Sequence, residues 1–400
     1  MSGFFSPSDL HVKKRMPTLP RCGQCGLSKR CLSPRMAPTG NGTRRILFVA
    51  EAPGQAEDKT GRQLVGPTGK LLRKVLHSIG EDLEDATKTN AIICRPPENK
   101  IQNIHLNSCR PNLIKTIRDI DPTVIVLMGS SPLESIVPLE WGGALGGIAK
   151  WEGWTIPSPM FNAWICPTYH PSYLSRMGND KVLMKIFKRQ LKRAYELERQ
   201  GKPNPTTLDE WEKQVEVITS PSQARSRLRD LVKKKGRLAF DYETTGLKPE
   251  REGHRIVSCS FCLNGEDTFA CMVDDRLLRL ISRVLQNPKL LKIASNLKFE
   301  ERWTRFIMGH GVKGWFWDTM LASHILDNRK GICSVKFQTY LLLGIGDYGG
   351  GLGRYLKAED SNSINTIDRA PVNKLLLYNG LDSLFEYKVA EIQMKLFPKS

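Results

Sequence analysis

Four hundred residues with 40% hydrophobic content are ordinary globular material, enough for two or three domains with their own cores. Sixty Lys+Arg against 41 Asp+Glu leave a net charge of +19, which points to a polyanionic partner, nucleic acid first. No apolar run approaches a membrane span and the first residues lack an apolar signal core, so the expectation is a soluble, cytoplasmic protein without a membrane partner.

In chain order, the first notable feature is thiol placement. Cys22-Gly-Gln-Cys25 is a tight pair, Cys31 follows, and Cys94 and Cys109 come later beside two Arg-Pro steps. A CxxC turn plus two further cysteines is a workable four-thiolate set for iron–sulfur or zinc, the alternative being scattered buried thiols. Without a secretion signal a disulfide framework is not expected. Cys166, Cys259, Cys262, Cys271 and Cys333 read as core thiols.

Ile46 to Ala50 is apolar and partly β-branched, as in a buried parallel strand. An acidic loop with Glu51, Glu57 and Asp58 follows, then a helical pattern over 70–79. Further strands are expected over 90–94, 122–129 and 163–168, with helices over 108–120 and 181–199. Strands alternating with helices imply a parallel sheet covered on both faces, whose ligands sit at the carboxyl ends of its strands.

Six ordered segments then meet a family: Cys22-x-x-Cys25, AEAPGQAED from Ala50, LVGPTGKLL from Leu64, TNAIICRPPENK from Thr89, Cys109-Arg-Pro and Thr168-Tyr-His-Pro-Ser. Over roughly residues 21–195 the chain resembles the family-4 uracil-DNA glycosylases. The resemblance implies an α/β/α fold with a [4Fe–4S] cluster on Cys22, Cys25, Cys94 and Cys109, leaving Cys31 out. A flipped uracil needs a reader of its edge and stabilisation of the departing anion. Asn90 fits the reader and His170 the donor to the carbonyl oxygen. Glu51 fits the group that positions water or steadies the sugar cation. Ala52, Gly54, Glu57 and Ser172 shape the pocket, and Tyr173 with Leu174 fits the wedge that fills the gap. Leu64 stands where the family has a phenylalanine that stacks on the base, a surface worth ~1–3 kcal/mol.

Gly201 to Thr207 reads as a linker, 215–219 as an edge strand and 222–235 as a basic helix. In LAFDYETTGL, Asp241 and Glu243 alternate along a strand and so project to one side, as a pair of hard cations requires. With Ile293 to Trp303 (IASNLKFEERW) and Tyr378-Asn-Gly-Leu-Asp382, and with Trp317-Asp318-Thr-Met-Leu-Ala between them, this half resembles the DEDD (DnaQ-like) 3′–5′ exonucleases. The nearest group is the proofreading domain of family-A DNA polymerases. The resemblance implies two Mg²⁺ or Mn²⁺ ions on Asp241, Glu243 and Asp382, with Tyr378 orienting the attacking water and Asn296 and Phe299 against the substrate. Glu300 stands where the motif has aspartate; the added methylene could cost on the order of 10²-fold in rate. Asp318 reads as structural, and Gly344 to Gly353 as a flexible loop that tracks single-stranded DNA.

The expectation is an α/β chain of two domains, a glycosylase fold followed by an RNase H-like (DnaQ-like) exonuclease fold. Its parts are an extension over 1–20, the glycosylase over 21–200, a linker over 201–212 and the exonuclease over 213–400. It would excise uracil and degrade DNA 3′–5′, acting on uracil-containing DNA and on single-stranded or frayed 3′ ends. No polymerase follows Asp382 in this chain, so a separate polymerase is an expected partner, as in a bacteriophage replication or repair protein. The alternative is that the first half only senses uracil or docks DNA for an exonuclease working in trans.

Overall fold

The computed structural model describes residues 20–349 and 351–397; the extension expected over 1–20 lies outside them except for Pro20. The chain divides between Pro205 and Thr206 into two units, within the proline-containing stretch read as a linker.

The first unit is built on a five-stranded sheet in the order β2-β1-β3-β5-β4. Its strands are β1 (Ile46–Ala50), β2 (Thr87–Asn90), β3 (Val124–Met128), β4 (Ile156–Ser158) and β5 (Ala163–Thr168). All pairings are parallel except that of β4 with β5. β1 and β3 are buried at every position, as their unbroken apolar runs require in a sheet covered on both faces. Helices Pro67–His77 and Lys181–Gln200 supply core side chains, among them Leu72, Leu76, Phe187 and Leu191. The second strand lies earlier than the expected 90–94. Its sequence, Thr-Lys-Thr-Asn, carries no apolar signal, because Lys88 is buried there by a 2.8 Å bond to Glu84 and not by its own hydrophobicity.

The second unit has a six-stranded sheet in the order β11-β10-β7-β8-β9-β6. β6 (Val215–Ile218) is an edge strand. β7 (Gly236–Thr244), β8 (Ile256–Leu263) and β9 (Asp267–Met272) form an antiparallel meander, and β10 (Leu290–Ala294) and β11 (Trp315–Asp318) add in parallel beyond β7. The long helix Val372–Leu396 packs across the sheet, with fourteen of its residues buried. Gly380 lets it approach: a Cβ there would fall 2.3 Å from Val215 Cγ1. Among the described residues no helix is long and apolar enough to cross a membrane.

The glycine-rich segment is largely loop, as expected, but it carries buried side chains. Ile345, Tyr348 and Leu352 are buried in the core cluster under the long helix. Three apolar anchors outweigh the freedom the glycines bring; Gly350 lies outside the described residues.

Candidate active sites

In the first unit, parallel pairing aligns strand ends. Ala50 pairs with Asn90 and Met128 with Thr168, so the residues just beyond these strands meet along one sheet edge. Glu51 comes directly after β1, and its Oε1 accepts the Ser130 N–H at 3.2 Å, at the start of helix Ser130–Ile136. Burial raises its carboxyl above the ordinary range, against the pull of the Ser131 and Ser130 amides. Gly129 bends the chain with φ of +94°; a Cβ there would sit 2.6 Å from Glu51 Oε1 and 3.1 Å from the Cβ of His170. The Glu51 carboxylate and the His170 side chain therefore both lie beside Gly129, where a Cβ would not fit.

His170 caps helix Pro171–Arg176. The Ser172 N–H points at Nδ1 (3.3 Å) and the Ser172 hydroxyl lies 2.7 Å from it, itself receiving Arg176 Nη1 at 3.2 Å. Nδ1 is thus the acceptor and Nε2 carries the proton. Burial first, and Arg176 second, press the imidazole down to about 4, so it is neutral at pH 7.

Asn90 is buried, and its amide donates to Gln63 Oε1; Gln63 in turn donates to the Ala37 carbonyl at 3.1 Å. Glu57 ties two loops, accepting Gly54 N–H at 3.1 Å and Gly66 N–H at 2.7 Å. Ala52 is half-buried. Leu64 lies in the core with φ of +52°, and its carbonyl receives Arg73 at 2.8 Å. Tyr173 is half-buried and stacks on Tyr169 at 5.0 Å. Leu174 is fully buried among core side chains, so the expectation that it forms part of the wedge is corrected: it has no face toward a substrate.

The Cys22–Cys25 turn is pinned to helix Asn103–Ile120 by Arg21 N–H to Ser108 carbonyl, 3.2 Å. Cys109, next on that helix, is buried, and its thiol is further raised by Cys22 and Cys25. Burial pushes Cys94 up to about 12, with Cys31 and Cys109 adding to it. Arg35 N–H donates to Cys94 Sγ at 3.2 Å, and Asn112 to Cys109 Sγ at 3.6 Å. Cys109 is thus influenced by Cys22 and Cys25, and Cys94 by Cys109, and thiols with N–H donors are the chemistry an iron–sulfur group takes. Cys31, which the family resemblance leaves out of the ligand set, is also placed against Cys94.

In the second unit, Asp241, Glu243 and Asp382 offer oxygens within 4.8 Å of one another. Strand alternation presents the first two to one side, and the helix Val372–Leu396 brings the third, with Tyr378 one turn before it. Burial raises all three acids, Glu243 to about 8; repulsion from neighbouring carboxylates adds to this for Asp241, Glu386 foremost, and for Glu243, while the Lys336 charge opposes it for Glu243 and Asp382. The donor set fits hard divalent cations, whose charge would offset that repulsion. Glu300, on helix Lys298–Met308, is buried and adds to the repulsion on Asp241, but it lies outside the 4.8 Å group. Its Oε2 has no hydrogen-bond partner among the described residues. Asn296 adopts φ of +62°, and Phe299 is half-buried against Trp303 at 6.1 Å. Asp318 accepts backbone N–H groups from Asn296, Leu297, Met320 and Leu321, a structural clamp.

Three neighbours of these acids were not singled out by their sequence context. Asn379 donates to Asp241 Oδ2 at 2.7 Å and is itself held by Ser258. Glu386 is buried and accepts Ser295 N–H at 3.2 Å; its spacing of four from Asp382 on a helix was the available signal. Tyr348 donates to Asp382 Oδ1 at 2.6 Å.

Residues 37–195 match the model of the uracil DNA glycosylase superfamily, and residues 215–391 that of the 3′–5′ exonuclease domain of DNA polymerase A type. A type-4 uracil-DNA glycosylase of Thermotoga maritima is 38% identical over 144 residues, 36% of this chain and 72% of that protein. One of Saccharolobus solfataricus is 34% identical over 140 residues, 33% of this chain and 63% of that protein. Among solved structures, the catalytic core of RRP6 from Trypanosoma brucei aligns at 15% identity and TM-score 0.36, over 46% of each chain. Escherichia coli RNase D aligns at 12% identity and TM-score 0.35, over 45% of this chain and 44% of that one.

Proposed function

Since this chain belongs to the type-4 uracil-DNA glycosylases through its first unit and carries a DnaQ-like 3′–5′ exonuclease domain in its second, we propose that it works on DNA twice. It hydrolyses the N-glycosidic bond of deoxyuridine, and it degrades strands 3′–5′ by two-metal phosphodiester hydrolysis. We place the glycosylase at 21–200 and the exonuclease at 213–400, joined by 201–212.

In the glycosylase, an everted uracil enters the space between Glu51 and His170. Asn90, its amide held by Gln63, reads the base edge. The His170 Nε2–H donates to the carbonyl oxygen on which charge develops; the neutral imidazole costs less to bury than an imidazolium would. Glu51 positions the attacking water and steadies the sugar cation. Glu57 holds the two loops at their spacing through Gly54 and Gly66, Ser172 fixes the imidazole, and Tyr173 alone fills the vacated stack. Cys22, Cys25, Cys94 and Cys109 would hold a [4Fe–4S] cluster, which when bound fastens the Cys22–Cys25 turn to the helix of Cys109.

In the exonuclease, Asp241, Glu243 and Asp382 would hold two divalent ions, which when bound offset the charge of the scissile phosphate. Tyr378 orients the attacking water, Asn379 fixes Asp241, and Asn296 and Phe299 lie along the strand end. Glu300 contributes charge from outside the ligand group.

The main support for this reading is the gathering of Asp241, Glu243 and Asp382 within 4.8 Å while Glu51, Asn90 and His170 stand at neighbouring parallel strand ends. The test is a 5′-labelled, uracil-containing single strand with and without EDTA. Alkali-sensitive breaks at uracil in EDTA, and laddering only with added metal, are expected; neither appearing would refute both activities. A second reading rests on Leu64, a core side chain where a stacking ring is expected: the first unit senses uracil without cutting. Tighter binding of uracil-containing than thymine-containing strands, with no abasic product, would establish it.

A further inference from the structure

The segment after helix Val335–Leu343 carries Tyr348 into the second unit's acid cluster. Its side chain is 4% exposed, and the hydroxyl donates to Asp382 Oδ1 at 2.6 Å. The ring is fixed on two sides: it stacks on Tyr378 at 6.0 Å and 27°, and meets Phe385 edge-on at 4.8 Å. The Lys336 ammonium lies 4.8 Å from the Tyr378 ring and 5.8 Å from the Tyr348 ring. Ile345 and Leu352, on either side in sequence, are buried in the same cluster, so the backbone that delivers this hydroxyl is anchored.

We propose that Tyr348 is a positioning residue for the metal site: its hydroxyl holds one oxygen of Asp382 and so aims the other at the cations. This rests on the reading of Asp241, Glu243 and Asp382 as metal ligands. A carboxylate on a helix can rotate about its side-chain torsions, and one fixed oxygen removes most of that freedom before a cation arrives. Asp241 is treated likewise, its Oδ2 receiving Asn379 at 2.7 Å. Asp382 is thus held by Tyr348 beside a second hydroxyl, that of Tyr378, and Asp241 by Asn379; supporting partners of this kind are worth about 10–100-fold in metal affinity or activity. The ring and the hydroxyl have separable duties. The ring fills space beside Tyr378, whereas the hydroxyl bears on the metal alone.

The experiment is Mn²⁺ binding to the full chain, followed by the loss of the free-ion electron paramagnetic resonance signal, for wild type and Tyr348→Phe. Thermal unfolding and DNA binding in EDTA are measured alongside. Tyr348→Phe keeps the ring and is expected to bind Mn²⁺ about 10–100-fold more weakly, to need correspondingly more Mg²⁺ for half-maximal degradation, and to bind DNA in EDTA as wild type does. Tyr348→Leu, which also lacks the hydroxyl, replaces it if the phenylalanine variant does not fold. Wild-type Mn²⁺ affinity in a folded variant would overturn the inference and leave the metal-site reading standing. Wild type binding no Mn²⁺ would overturn both.

Discussion

His170 is where a single residue's environment decides chemistry. In the unfolded chain its imidazole titrates near 6.5, and in the fold near 4. Between those values the unfolded chain holds more protons, so stability falls as pH drops through that window and is unaffected above it, by about 3 kcal/mol at full titration. His170→Gln should remove this acid sensitivity, read as a smaller difference between denaturation midpoints at pH 7 and pH 4.5 than wild type shows. Gln63 is the second case. Its side chain is the support of Asn90, and Gln63→Leu leaves that amide without its partner, at a cost of about 1–3 kcal/mol, or roughly 5–150-fold in kcat/KM for uracil excision. An unchanged kcat/KM would show that Asn90 needs no support. Asn90 and His170 were legible as motif positions, because their segments carry distinctive neighbours. Gln63 was not, since nothing local marks a glutamine that acts through a residue 27 positions away.

At the scale of elements, legibility depended on how each one is buried. β1 and β3 announce themselves by unbroken apolar runs, and β7 by an apolar start before its acids. β2 was misplaced because its burial rests on a lysine paired with Glu84. The burial of Ile345, Tyr348 and Leu352 went unread because the glycines around them mark a loop and no regular period flags a buried loop side chain. The loop carrying Leu64 and the helix after it are matched to within an atom: a Cβ on Gly69 would lie 1.6 Å from the Leu64 carbonyl oxygen, which is backbone and cannot swing aside. Gly69→Ala should therefore displace that loop, lower stability by about 1–3 kcal/mol and depress uracil excision, with metal-dependent degradation intact. A thermal midpoint equal to wild type would show that the loop yields freely.

For the whole molecule, composition pointed to a nucleic-acid partner and ordered motifs to two chemistries, and the two units each carry a separate set of polar side chains suited to one of them. Leu64 and Glu300 depart from the expected motifs, and both side chains are buried. Because the units have separate cores, a lesion in one site should leave the other's chemistry alone. The most direct measurement uses a 5′-labelled single strand with one internal uracil, incubated with wild type, Glu51→Gln and Asp241→Ala. Asp241→Ala should still yield alkali-sensitive breaks at the uracil with no ladder, and Glu51→Gln should yield the metal-dependent ladder with few or no such breaks. Loss of both products in either folded variant would contradict two independent sites, as would uracil breaks that vanish with Asp241.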